Sequence, residues 1–111
     1  MKQSNIFILN NDIPKENAGE GVTRRMLGYD ENIMLVKVSF ESGAIGAVHH
    51  HPHVQASYIE SGKFEVTIDG EKQLLEKGDG FFVPSNSPHG VVCIEEGAII
   101  DTFTPARKDF L

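Results

Sequence analysis

Gly43-Ala44-Ile45-Gly46-Ala47-Val48-His49-His50-His51-Pro52-His53-Val54-Gln55 places four histidines within five positions, and the chain holds only one more, His89. A purification tag would be terminal and featureless. This run is internal, led by glycines, broken by Pro52 and followed by the β-like Tyr58-Ile59. It reads as a metal-binding turn between two strands; a merely solvated His-rich loop is the bland alternative. Side chains alternate along a strand with period two. His49 and His51 are therefore expected on one face, with His50 pointing away. Two imidazoles on one face can share an ion, with nitrogens about 2.0–2.1 Å from a zinc-like metal. Pro52 lacks an amide hydrogen and has a fixed φ, which suits a strand end. Gln55 returns on the next strand.

Outward from this run, short apolar stretches alternate with turn residues. Ile6–Leu9 reads as an edge or dimer-contact strand, and Asn10–Gly21 as a loop containing Pro14, Gly19 and Gly21. Val22–Tyr29 and Ile33–Glu41 read as strands joined across Asp30-Glu31-Asn32. Val54–Ile59 and Lys63–Asp69 read as two strands flanking Ser61-Gly62. In the second, Phe64, Val66 and Ile68 share one face and Glu65 and Thr67 the other. Asp69-Gly70 is a strong hairpin signal. Glu71–Glu76, Phe81–Val83, His89–Ile94 and Ala98–Thr104 complete a set of about ten short strands. No helical period is sustained. Many short strands with Gly-rich turns predict an all-β fold, an antiparallel double-sheet jelly-roll barrel. The barrel is expected over about residues 21–104 of one domain, 1–111, with a short tail at 105–111.

A chain of 111 residues with 40% hydrophobic content is expected to form one core. The net charge of −6 argues against a nucleic-acid partner and against a polybasic membrane patch. An anion-binding site in so acidic a chain needs a local positive centre, which a metal supplies. The single cysteine excludes an intrachain disulfide and fits a reducing compartment. With no signal-peptide pattern and no apolar stretch long enough to span a bilayer, the expectation is a soluble cytoplasmic protein. Exposed strand edges on a short barrel predict a homodimer.

The residues now resemble a known family. Cupins carry a first motif of Gly, five residues, His-x-His, three or four residues, Glu, six residues, Gly. Here it reads Gly43, His49, His51, Gln55, Gly62, with Gln in place of Glu. The second motif is Gly, five residues, Pro-x-Gly, two residues, His, three residues, Asn. Here it reads Gly78, Pro84, Asn86, His89, Cys93, with Asn and Cys replacing the last Gly and Asn. Within the cupins, the chain is similar to small single-domain KdgF-like proteins of pectin and alginate uronate metabolism. These share the Gln, a Pro84-Ser85-Asn86-Ser87-Pro88-His89-Gly90 stretch and a tail like Asp101-Thr102-Phe103-Thr104-Pro105-Ala106-Arg107-Lys108-Asp109-Phe110.

The resemblance implies an RmlC-like cupin barrel holding a divalent transition metal ion on His49, His51, Gln55 and His89. Zn, Ni, Fe, Mn and Co all remain open. All four ligands are neutral when bound, so the ion keeps its full charge and acts as a stronger Lewis acid and anion receptor. The resemblance also implies an enzyme that opens the ring of a 4,5-unsaturated monouronate to a linear keto sugar acid. Its catalytic set corresponds to Asp101, Phe103 and Arg107. Strand parity places Asp101 and Phe103 on one face with Ile99, where an inward carboxylate is costly unless paired or functional. Arg107 has forked donors that suit the carboxylate of a small anionic sugar acid. His50 and His53 read as surface or rim residues. Arg24 and Arg25 point to opposite faces, so one of them is placed to reach the pocket. Cys93 shares the parity of His89 but lies about 13 Å further along the strand, and reads as core. Phe64, Phe81, Phe82, Val66 and Ile68 are also assigned to the core. Two other readings stay open on the same scaffold: a metal-dependent dioxygenase or related oxidoreductase, and a small-acid binder without turnover.

Overall fold

The computed structural model describes residues 3–111 of the chain. Eight strands follow in order: β1 (Glu16–Gly19), β2 (Val22–Tyr29), β3 (Met34–Phe40), β4 (Ile45–His49), β5 (Val54–Ile68), β6 (Glu71–Glu76), β7 (Gly80–Val83) and β8 (His89–Thr104). All pairings are antiparallel. β5 and β8 are long and pair along their whole length, from Val54 opposite Thr104 to Ile68 opposite His89. The first half of β5 and the second half of β8 lie between β7 and β3, and β2 and β1 continue outward from β3. The other halves lie between β6 and β4. Two layers thus share one bent central ribbon, which gives the expected all-β double-sheet barrel.

The ribbon corrects the strand count. Ser61-Gly62 reads as a turn between two strands, and Glu95–Gly97 as a second break. Both instead sit inside continuous strands whose register shifts between Ile59 and Phe64. Gly62 has φ of 82°, and a Cβ there would stand 2.5 Å from the Glu95 carbonyl oxygen. A Cβ on Gly97 would overlap the Ser61 backbone. The glycines let two strands bend against one another, so here they mark a kinked strand rather than a strand end.

Two further expectations fail. Ile6–Leu9 is not a strand. Ser4 meets the end of β2 through its amide to the Tyr29 carbonyl and the Tyr29 amide to its hydroxyl, and pairing stops there. Ile6 and Phe7 are 79% and 85% exposed, so apolarity without a partner strand does not make a ladder. Conversely, β1 forms inside the segment expected to be loop, pairing Glu16 with Arg24 and Asn17 with Thr23. Its Glu-Asn-Ala-Gly sequence carries no apolar alternation to reveal it.

Two apolar clusters fill the barrel. One contains Val22, Phe40, Ala44, Ile59, Phe64, Val66, Cys93 and Ile99, with Phe40 and Phe64 in an edge-to-face pair 5.2 Å apart. The other, of Met34, Val36, Phe103 and Ala106, packs the end where the tail leaves β8. Cys93 is buried, as parity requires. Phe82 does not belong to the core: it is 57% exposed, because β7 turns Val83 inward and Phe82 outward.

Candidate metal centre and its cavity

The turn after β4 and the start of β8 bring three histidines together. His49 ends β4 directly opposite His89 at the start of β8, and their ring centroids are 4.4 Å apart. His51 lies past the strand end, so the simple two-on-one-face picture does not hold. It still joins the group, 4.7 Å from His89 and 5.5 Å from His49 between centroids. One ring nitrogen from each of the three lies within 4.8 Å of the others. His50 is exposed and lies outside the cluster, as expected of a residue facing away. His53 sits beside it, 5.5 Å from the His51 ring, with a buried Nδ1 that has no partner among the described residues.

The ring tautomers follow from the backbone. Each Nδ1 faces a carbonyl oxygen: His49 to Ala47 at 2.9 Å, His51 to His53 at 3.0 Å, and His89 to Ser87 at 2.9 Å. A carbonyl only accepts, so each Nδ1 carries the proton and donates it. Each neutral ring then has its lone pair on Nε2. The Nε2 of His89 is buried and has no partner among the described residues. The Nε2 of His51 stands 3.0 Å from Gln55 Oε1. Both are acceptors in this arrangement, because the Gln55 amide group donates to Ser57 Oγ at 3.0 Å and Asp101 Oδ1 at 3.2 Å. Buried lone pairs facing one another are unfavourable unless a cation lies among them. The residues present therefore fit a divalent metal ion, with His49, His51 and His89 as the cluster and Gln55 Oε1 beside it. Backbone acceptors behind metal-binding histidines are the usual orienting arrangement.

Burial reinforces the neutral state. Desolvation pushes His89 down to about 4, against the opposing hydrogen bond to Ser87. It also lowers His51, helped by the positive charge of Arg107. Both rings are thus neutral and ready to ligate at pH 7.

Asp101 lies one hydrogen bond beyond this cluster. It sits directly opposite Ser57 on the β5–β8 ribbon, and Ser57 Oγ donates to its Oδ1 at 2.5 Å. Burial raises its carboxyl to about 6, partly offset by the donors Ser57 and Gln55 and by the Arg107 charge. Ser57 was not singled out from the sequence, although it follows Gln55 at the two-residue spacing of a shared strand face.

One cavity of about 500 Å³ joins these groups; among its lining residues are His49, Gln55, His89, Asp101, Phe103 and Arg107. Phe103 is buried and packs edge-on against His51, centroids 5.7 Å apart. Arg107 is not a solvated tail charge: its side chain is 11% exposed and its guanidinium stacks on Phe103 and Phe110. Its Nε and Nη2 donate to the Asp109 carboxylate at 3.1 and 2.9 Å. Of the two neighbouring arginines, Arg24 lines the cavity, whereas Arg25 hydrogen-bonds to Asn10. Phe110 ends the tail stretch that carries the family resemblance, but no periodicity assigned it a role.

Comparison with known proteins adds the following. The family model described as "Cupin domain" matches residues 36–101. The pectin degradation protein KdgF of Dickeya dadantii is 43% identical over 107 residues, 95% of this chain and 97% of that protein. The crystal structure of an RmlC-like cupin from Shewanella frigidimarina superposes with a TM-score of 0.97 at 46% identity, over the whole of both chains. The structure of KdgF from a Halomonas species superposes with a TM-score of 0.92 at 35% identity, over 97% of this chain and 100% of that one. Oxalate decarboxylase OxdC of Bacillus subtilis is 33% identical over 93 residues, 79% of this chain but 24% of that protein.

Proposed function

The chain belongs to the cupin family, and on that premise we propose that it is a single-domain metal-dependent enzyme that opens 4,5-unsaturated monouronates from pectin or alginate to linear keto sugar acids. One observation carries the reading: His49 and His89 of the histidine cluster line one cavity with the carboxylate of Asp101, and Gln55 bridges His51 to that carboxylate. The likeness to the pectin degradation protein over nearly the full length of both chains supports the substrate class.

His49, His51, His89 and Gln55 would hold the divalent ion. When bound it supplies Lewis acidity and positive charge toward substrate oxygens. The reaction is an isomerisation. The bond between C1 and the ring oxygen breaks, and the anomeric hydroxyl loses its proton as C1 becomes a carbonyl. The ring oxygen gains a proton as an enol, which tautomerises to the ketone. One carboxylate that accepts and returns a proton serves both ends. Asp101 is that group: with a carboxyl near 6 it is largely ionised at pH 7, yet it is a far better base than an ordinary aspartate. Ser57 and Gln55 hold it in place through Oδ1, leaving Oδ2 for the proton. Phe103 forms an apolar wall against the sugar ring, and Arg107 places positive charge near its carboxylate.

The test is turnover of an unsaturated monouronate by metal-loaded protein, followed as loss of the C4=C5 ultraviolet absorbance with product identified by mass and NMR. No turnover of any unsaturated uronate removes this reading and leaves a metal-binding cupin. Oxygen uptake with an iron-loaded site would instead favour the oxidoreductase reading. We also take the protein to act as a homodimer, supported by the exposed Ile6, Phe7 and Leu9; a monomer mass in sedimentation at working concentration would refute that. Among the described residues, no helix is long and apolar enough to cross a membrane.

A further inference from the structure

Two guanidinium groups line the cavity, those of Arg24 and Arg107. Both stack on the Phe110 ring, with Cζ 4.0 and 4.3 Å from its centroid. Phe110 is thus shared by the two guanidinium groups, which it brings to the same end of the cavity. Cation–π contact fixes their planes without using their hydrogen-bond donors.

Their free edges differ. Arg107 commits Nε and Nη2 to the two oxygens of Asp109. Asp109 thus already fills a bidentate edge of Arg107. Arg24 commits only Nε, to Glu16 Oε2 at 3.1 Å. Among the described residues its Nη1 and Nη2 have no hydrogen-bond partner. The Arg24 side chain is 21% exposed, open enough for a ligand in the cavity to reach it.

We infer that Arg24 is a substrate-binding residue whose Nη1 and Nη2 groups receive the uronate carboxylate, with Arg107 beside it supplying charge rather than the bidentate fork. This assignment rests on the uronate reading of the site. Glu16 orients Arg24 from β1, the strand that closes the open edge of the sheet, so β1 and the C-terminal tail together frame the carboxylate end of the cavity.

The test uses the full, metal-loaded chain with Arg24→Lys and Arg24→Met. Steady-state constants are measured for the unsaturated monouronate, and inhibition constants for a saturated uronate and its methyl ester. Arg24→Lys keeps the stem and the charge but loses the planar fork. The expected result is a KM for the acid raised about tenfold or more, the scale of a lost hydrogen bond to a charged group. The turnover number stays near the parent value, and inhibition by the ester is unchanged, because the ester carries no carboxylate. Acid and ester affected equally would make Arg24 a structural clasp and overturn the inference. An unchanged KM in Arg24→Lys would also overturn it, whether or not Arg24→Met folds. If the parent turns over the uronate and both variants match it, Arg24 alone is misassigned. If the parent does not act on the uronate, the reading beneath this inference fails and Arg24 falls with it.

Discussion

Replacing Asp101 by Asn should make the metal-free protein more stable and the loaded enzyme far slower. Burial lifts the Asp101 carboxyl from 3.8 to about 6. A folded-state value above the unfolded one means the folded chain binds protons more tightly. The stability this group contributes is fully present below about pH 4 and is lost as pH rises through about 6. Two units at 1.36 kcal/mol each put the penalty of the ionised form near 3 kcal/mol at neutral pH. Asn resembles the protonated acid: it has no charge to desolvate, and its carbonyl can still accept from Ser57 and Gln55. Chelator-treated parent and Asp101→Asn should be unfolded in urea at several values between pH 4 and 8. The variant should be more stable at pH 7, by up to about 3 kcal/mol, with the gap closing toward pH 4. Taking the difference between the two proteins cancels every titrating group that is not coupled to Asp101. With metal and substrate, the same variant should lose about 10²-fold or more in turnover, the scale of a lost acid–base group. A variant less stable than the parent at pH 7, or a gap that does not change with pH, would show that Asp101 is a structural acceptor and refute the reasoning.

Metal content offers a second check: protein loaded and desalted should carry about one divalent ion per chain, and the His51→Ala, His89→Ala double variant should carry none by elemental analysis. Because burial depresses His89 to about 4 and also lowers His51, protons compete weakly with an ion for these two rings, and metal should stay bound at pH 6; metal lost already at pH 6 would contradict the buried geometry. The same depression means that the stability contributed by His89 is present above about pH 6.5 and lost as pH falls through about 4. Gln55→Glu should retain metal but turn over more slowly, with an optimum shifted to higher pH, since two carboxylates would then share one hydrogen-bond network; an unchanged rate would count against the neutral ligand set. Gly97→Ala should prevent soluble expression or lower the melting temperature sharply, because its methyl would meet the Ser61 backbone; a parent-like melting curve would mean the ribbon bend tolerates a side chain.

Much of this was readable in the chain because local patterns coincide with tertiary ones. Phe64, Val66 and Ile68 alternate with Glu65 and Thr67, and the observed strand turns the apolar set inward. Asp101 and Phe103 follow Ile99 at two-residue spacing, and all three sides of that argument hold in the bent β8. The motif intervals place His49, His51 and His89, although His51 arrives from the turn rather than from the strand. What failed depends on partners distant in sequence. β1 exists because the edge of β2 is open to it, not because Glu16–Gly19 favours a strand. Ile6–Leu9 looks like a strand but finds no edge to continue along. Ser61-Gly62 and Gly97 look like ends because glycine serves turns and kinks alike. The Arg24–Phe110 contact joins β2 to the C-terminal tail, far apart along the chain, through side chains alone.

The glutamine at position 55 has a reason beyond charge. A glutamate there would offer oxygen on both sides, one facing the histidine cluster and the other facing Asp101. Gln55 instead offers an acceptor on one side, 3.0 Å from His51 Nε2, and a donor on the other, 3.2 Å from Asp101 Oδ1. An amide points a lone pair at a cation and a proton at a carboxylate at once, which an ionised carboxylate cannot do. The donor side matters because Asp101 is already raised to about 6 by burial. A second carboxylate beside it would push it higher still and leave it protonated at neutral pH, unable to accept a proton. In the proposed mechanism Gln55 therefore keeps the ligand set neutral and the base ionised with one side chain. Ser57, opposite Asp101 on the neighbouring strand, adds the second donor that this balance requires.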